Sequence, residues 1–204
     1  MRFAPLYRTV LYTSLLLGLG HAAPVFAETA PAAAAALAAD TPQTSSNGTR
    51  FTAPGGWLMS RDGAVIRLVP PEQDSRLAVV DVAVATADAA VAKAWEAAGM
   101  SPGFKEKLAT DQPAKDGWDA IGVQDYDVPA NAERVVLAYA AGKAGQWTVL
   151  LVDFSTQVME KRGAQLALVY DRMLPKGHER EAFAGLKALP LDAARLEAMR
   201  AFIR

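Results

Sequence analysis

The sequence predicts an α+β fold: a single domain in which an antiparallel β-sheet packs with two main helices, followed by a C-terminal connector helix. Three observations carry this. Short β-prone runs recur between Phe51 and Val84, divided by Pro54-Gly55-Gly56, Arg61-Asp62-Gly63 and Pro70-Pro71. Two further runs, residues 135–140 and 147–152, flank the glycine-bounded turn Gly142-Lys143-Ala144-Gly145. Twice the apolar period changes from two to between three and four, after Thr86 and after Asp153. Helices that interrupt antiparallel strands give the α+β class, with about 140 residues in one domain.

In chain order, Arg2 and Arg8 precede an apolar core at residues 10–20, and Val25-Phe26-Ala27 places modest or small residues at a cleavage point. That pattern predicts a signal peptide over residues 1–27. The apolar core has about half of the roughly 20 residues needed to span a bilayer, and the chain has no cysteine to carry a lipid. A periplasmic or secreted protein without a stable membrane anchor after cleavage is therefore expected. With no disulfides, its fold depends on its core alone. Removing the leader leaves 19 basic residues against 22 acidic ones, a net charge of −3. Such a balance gives no general affinity for nucleic acid or anionic lipid.

Residues 28–49 are rich in Ala, Pro, Thr and Ser, which predicts a flexible or weakly helical linker. A short amphipathic helix over residues 32–40 is the alternative. The folded domain is expected over residues 50–188, opening as a meander of short strands. Thr86 is placed to cap a helix running through Trp95, with Ala87, Val91, Ala94, Trp95 and Ala98 inward and Gly99 at its end. Strands are expected again at residues 105–110 and 118–128. In the hairpin that follows, neither face of residues 135–140 is polar, so both faces should be buried. Met159, Gly163, Leu166, Val169, Tyr170 and Met173 then mark one face of a helix, capped by Ser155 or Thr156 and stopped by Pro175 and Gly177. This gives seven or eight strands and two main helices. Residues 189–204 are expected to form the connector helix, in which Leu196, Ala198, Met199, Phe202 and Ile203 make an apolar stripe; a terminal helix docked on the domain is the alternative.

No residue pattern predicts a reaction. His178 is the one histidine beyond the leader, and a single imidazole makes neither a metal site nor a nucleophile–base pair. Asp116 with Asp119, and Asp125 with Asp127, lack the oxygen-rich spacing of a calcium loop. No serine is followed three places later by lysine, and no phosphate loop occurs; Gly99-Met100-Ser101-Pro102-Gly103 has the Gly-x-Ser-x-Gly spacing but follows a helix instead of joining a strand to a helix, so it is not a nucleophile elbow. The expectation is no catalytic residue, no metal and no cofactor. Trp57, Trp118, Tyr126, His178 and Phe202 are the candidate contacts to a ligand or partner. For the two tryptophans, each placed after a turn glycine, the alternative is that they lock hairpins to the core.

The segments Ala53-Pro54-Gly55-Gly56-Trp57, Ala114-Lys115-Asp116-Gly117-Trp118-Asp119, Glu160-Lys161-Arg162-Gly163-Ala164 and Pro190-Leu191-Asp192-Ala193-Ala194-Arg195 come in an order that resembles a known domain. It is the N-terminal accessory domain that precedes the catalytic domain in some secreted serine hydrolases of the β-lactamase and penicillin-binding-protein family. The resemblance implies a non-catalytic domain that packs on or positions a hydrolase domain or another envelope protein. A stand-alone ligand-binding module and a fragment of such a hydrolase are the alternatives. The layout of strands and helices is also similar to the small α+β sandwiches of the Mog1 and PsbP type.

Overall fold

Two long central strands with apolar residues on both faces need a layer on each side, and the architecture follows from that demand. The computed structural model describes residues 34–180, 192, 196, 197 and 200–202. Ten strands occur among them: β1 (Ala35–Ala36), β2 (Thr41–Thr44), β3 (Arg50–Ala53), β4 (Leu58–Asp62), β5 (Val65–Val69), β6 (Arg76–Ala83), β7 (Glu106–Gln112), β8 (Ala120–Tyr126), β9 (Arg134–Lys143) and β10 (Gln146–Ser155). Helix α1 (Ala87–Ala97) lies between β6 and β7, and α2 (Thr156–Asp171) follows β10. Eight strands form one sheet in the order β1-β4-β5-β6-β10-β9-β8-β7, and every pairing is antiparallel. β2 and β3 form a separate hairpin.

Side-chain alternation sorts the core into two clusters on opposite faces of the large sheet. Leu150, Val152 and Phe154 of β10 join Leu77 and Val79 of β6, Ile66 and Leu68 of β5, and Val158, Leu166 and Val169 of α2. Val149 and Leu151, with Val80, Val82, Ala138 and Ala140, meet Ala90, Val91, Ala94 and Trp95 of α1 on the other face. Each fully buried Val or Leu contributes roughly 1.5–3 kcal/mol of transfer free energy. A strand that serves both clusters is therefore the most heavily stabilised part of the chain.

Local chemistry sets the element ends. Thr86 accepts from the Ala89 amide and Ser155 from the Val158 amide, so both helices start on a side-chain cap. Between β9 and β10 the turn residues Ala144 and Gly145 have φ of 51° and 75°, the left-handed pair that a two-residue hairpin turn with the correct twist requires.

The two helices, the β4-β5-β6 meander and the β9–β10 hairpin agree with the sequence prediction, and the fold is α+β. Two expectations need correction. Within the stretch taken as linker, residues 34–48 are built into the fold: β1 pairs with β4, β2 pairs with β3, and Ser45 is buried. Their stability comes from pairing and from side-chain hydrogen bonds, neither of which composition records. β3 also leaves the meander, because Phe51 and Ala53 face α2 and the first cluster while Arg50 bonds both ways with Leu174. The expected signal peptide lies outside the described residues. Of the connector helix, Leu196, Glu197, Arg200, Ala201 and Phe202 are helical and exposed, and the remainder lies outside the described residues.

Candidate ligand cleft

On the face covered by α2, the apolar row of β10 runs Phe154, Val152, Leu150 and then changes to Thr148. The β6 row likewise runs Leu77, Val79 and then Asp81. Register places Thr148 directly opposite Asp81, so the core becomes polar at one end of the sheet. Both side chains are buried, and buried polar groups require partners. The β2–β3 connection supplies them. The Asn47 amide donates to Asp81 Oδ2 at 2.6 Å, and the Thr148 hydroxyl donates to Asp81 Oδ1 at 2.7 Å. Thr49 and Thr148 hydroxyl oxygens are 2.7 Å apart.

The carboxylate fixes the direction of this chain. Thr148 has one hydroxyl proton, which goes to Asp81, so in its contact with Thr49 its oxygen accepts and Thr49 donates. The Thr49 oxygen is left with lone pairs only. Asn47 is oriented the same way, because its Nδ2 donates to the Trp147 carbonyl at 3.3 Å and its Oδ1 remains an acceptor.

Above these groups lies a cleft of about 220 Å³, lined by Asn47, Thr49, Thr148, Trp118, Lys143 and Lys176, with Ala144, Gln146 and Pro175. Lys143 stands on a strand, and Lys176 on the turn after Pro175. Lys143 is the last residue of β9, next to a turn pinned by the Ala144 amide donating to Asp119 Oδ2 at 2.9 Å. The stem of Lys176 lies against Gly48, whose Cβ, if it had one, would stand 3.0 Å from Lys176 Cδ. Gly48 has φ of 84°, so the sharp turn and the close approach both require glycine there. Among the described residues neither lysine pairs with a carboxylate. The Trp118 indole is fixed by donating to the Met173 carbonyl at 3.1 Å.

Of the residues singled out in the sequence, Trp118 lines this cleft and His178 lies beside it. The His178 ring packs on Gly117 so closely that an added Cβ there would overlap it, and its carbonyl accepts from Arg50. Arg180 makes a two-pronged contact with Asp116 at 2.9 and 3.0 Å, and that hydrogen-bonded partner lowers the Asp116 carboxyl pKa. Asp116 and Asp119 are thus engaged in structure, one with Arg180 and one at the hairpin turn. Trp57 is elsewhere and fully buried, its indole donating to Gln165 at 3.0 Å. Tyr126 is on the opposite face, edge-on to Trp95 with centroids 5.9 Å apart and accepting its indole proton at 2.8 Å. Burial raises the Tyr126 phenol pKa. Phe202 is exposed on the terminal helix. All four tryptophans are at most 6 % exposed, so none offers a free ring for stacking at a sheet edge.

Sequence reasoning missed Asp81, Thr148, Thr49, Lys143 and Lys176. A signal existed for two of them: Asp81 and Thr148 are polar interruptions in otherwise apolar strands. A second concavity, about 140 Å³ beside α2, is lined by Val123, Leu137, Tyr139, Leu150, Val152, Leu166 and Tyr170. Burial there pushes the Tyr139 phenol up to about 12.

No family model matches the chain, and no curated protein matches it in sequence. Among solved structures it is similar to the solution structure of cyanobacterial PsbP (CyanoP) from Synechocystis, with a TM-score of 0.50 and 18 % identity over 77 % of this chain and 98 % of that one. The likeness shows a PsbP-like fold. It corrects the resemblance to the accessory domain of β-lactamase-type hydrolases. Two of the segments behind it, Gly56-Trp57 and Gly117-Trp118, are positive-φ turn glycines followed by core tryptophans, a device open to any sheet fold. No helix of the described residues is long and apolar enough to cross a membrane.

Proposed function

We propose that this protein is a non-catalytic accessory protein of the cell envelope, acting by binding a small polar ligand in the cleft between Lys143 and Lys176. One observation carries the reading: two lysines without carboxylate partners among the described residues line a concave surface whose floor is an ordered hydroxyl relay. Unpaired cations held over a pre-formed pocket attract and orient an anionic group. Among the described residues the lining includes neither imidazole nor carboxylate, the groups that most often perform general acid–base steps. Arg2, Arg8 and the apolar leader support export to the periplasm.

Titration calorimetry tests the reading with three probes, acetate, inorganic phosphate and alanine, each added to the mature protein. Saturable heat from at least one probe, lost in the double variant Lys143→Gln/Lys176→Gln, is the expected result. Absence of saturable binding by all three, or binding unchanged in the variant, contradicts it.

A further inference from the structure

The cleft is electrically two-sided, and this narrows its ligand beyond a generic anion. At the rim stand Lys143 and Lys176. Beneath the floor is Asp81, 8 % exposed, whose carboxylate fixes the proton direction of two hydroxyls in series. Because Thr148 gives its proton to Asp81 and Thr49 gives its proton to Thr148, the last oxygen of the relay can only accept. The Asn47 Oδ1 is a second acceptor in the lining. A simple anion fits the rim but meets lone pairs at the floor, with a buried carboxylate behind them. A simple cation fits the floor and is repelled by the rim.

We infer that the cleft takes a small zwitterion, an α-amino acid or a compound with that head group. Its carboxylate lies between the two lysines and its ammonium donates inward to Thr49 and Asn47. This rests on the reading of the cleft as a ligand site and names its ligand class. The volume of about 220 Å³ suits a small amino acid. Trp118 and Pro175 supply apolar wall for a short side chain. Asp119 is not part of the cleft lining, and its Oδ2 accepts from the Ala144 amide at the hairpin turn. Charge-assisted hydrogen bonds at both ends make recognition depend on both charges at once.

Affinities of three probes for the mature protein decide the matter: alanine, N-acetylalanine, which keeps only the carboxylate, and alaninamide, which keeps only the ammonium. The expected result is that each single-charge probe binds at least about tenfold more weakly than alanine. In Lys143→Gln/Lys176→Gln, alanine should fall to the level of alaninamide, and these exposed or half-buried positions leave the core intact. N-acetylalanine binding as tightly as alanine would overturn the zwitterion assignment and leave an anion cleft standing. Equal binding of alaninamide overturns it from the other side. No binding by any of these three overturns the zwitterion assignment, and the cleft reading falls with it only when acetate and inorganic phosphate also fail to bind.

Discussion

At the scale of single residues, the Asp81–Thr148–Thr49 relay is the least expected feature of the protein. A carboxylate enclosed at the end of an apolar strand is tolerable only because both its oxygens accept hydrogen bonds. Asp81→Ala leaves the Thr148 hydroxyl and the Asn47 amide without that acceptor. The expected loss is about 3 kcal/mol in urea unfolding, against about 1 kcal/mol for Thr148→Ser, which keeps the hydroxyl. Equal losses would show that the relay is incidental to stability. The sequence displayed the polar interruptions at Asp81 and Thr148, but not that they face each other. That fact depends on strand register across more than sixty intervening residues, and hydrophobic periodicity does not encode it. The lysines were invisible for a related reason, since their relevance comes from lying over one cleft and not from local spacing.

At the scale of elements, the two helices were legible because caps and periodicity are local. Thr86 and Ser155 cap their helices as their positions in the sequence imply. β2 was not legible, because Thr41-Pro42-Gln43-Thr44 has little strand preference and is held by its partner β3. Two contacts between elements make testable demands. Ala144 occupies a left-handed position with φ of 51°, so Ala144→Asn should stabilise the β9–β10 hairpin by about 0.5–1 kcal/mol. A destabilised Asn variant would mean that the turn is not the two-residue form. Glu72 ties the β5–β6 connection to α2, accepting from Arg162 at 2.8 Å and Lys161 at 2.7 Å. Arg162 first and Lys161 second hold its carboxyl down from 4.5 to about 2. A carboxyl depressed in the folded state contributes stability that is fully present above pH 4.5 and lost as pH falls towards 2. The urea midpoint should fall across that window, and Glu72→Gln should make the fall shallower. An unchanged pH profile in Glu72→Gln would remove Glu72 from the acid response.

At the scale of the whole molecule, one sheet serves two cores. Leu150 and Leu151 are neighbours in β10 that point to opposite faces, one towards the α2 cluster and the other towards the α1 cluster. Leu150→Ala and Leu151→Ala should each cost about 3 kcal/mol. Each should also lower the same single transition, whether followed by backbone or by aromatic circular dichroism. Separate transitions for the two variants would mean that the faces unfold independently. The α+β class was legible from alternation and turn chemistry, whereas the strand order was not, since β10 lies between β6 and β9 only through long-range pairing. Likeness of turn segments also led towards a hydrolase-associated domain, although the three-dimensional match is to a PsbP-like fold. The central claim is that the lysine-rimmed cleft is the binding site. Mapping backbone amide shifts of the mature protein in saturating alanine tests it most directly. The account predicts shifts concentrated at Asn47, Thr49, Ala144 and Thr148, together with the Trp118 indole. Shifts gathered instead around Tyr139 and Tyr170, or no localised shifts at all, would contradict it.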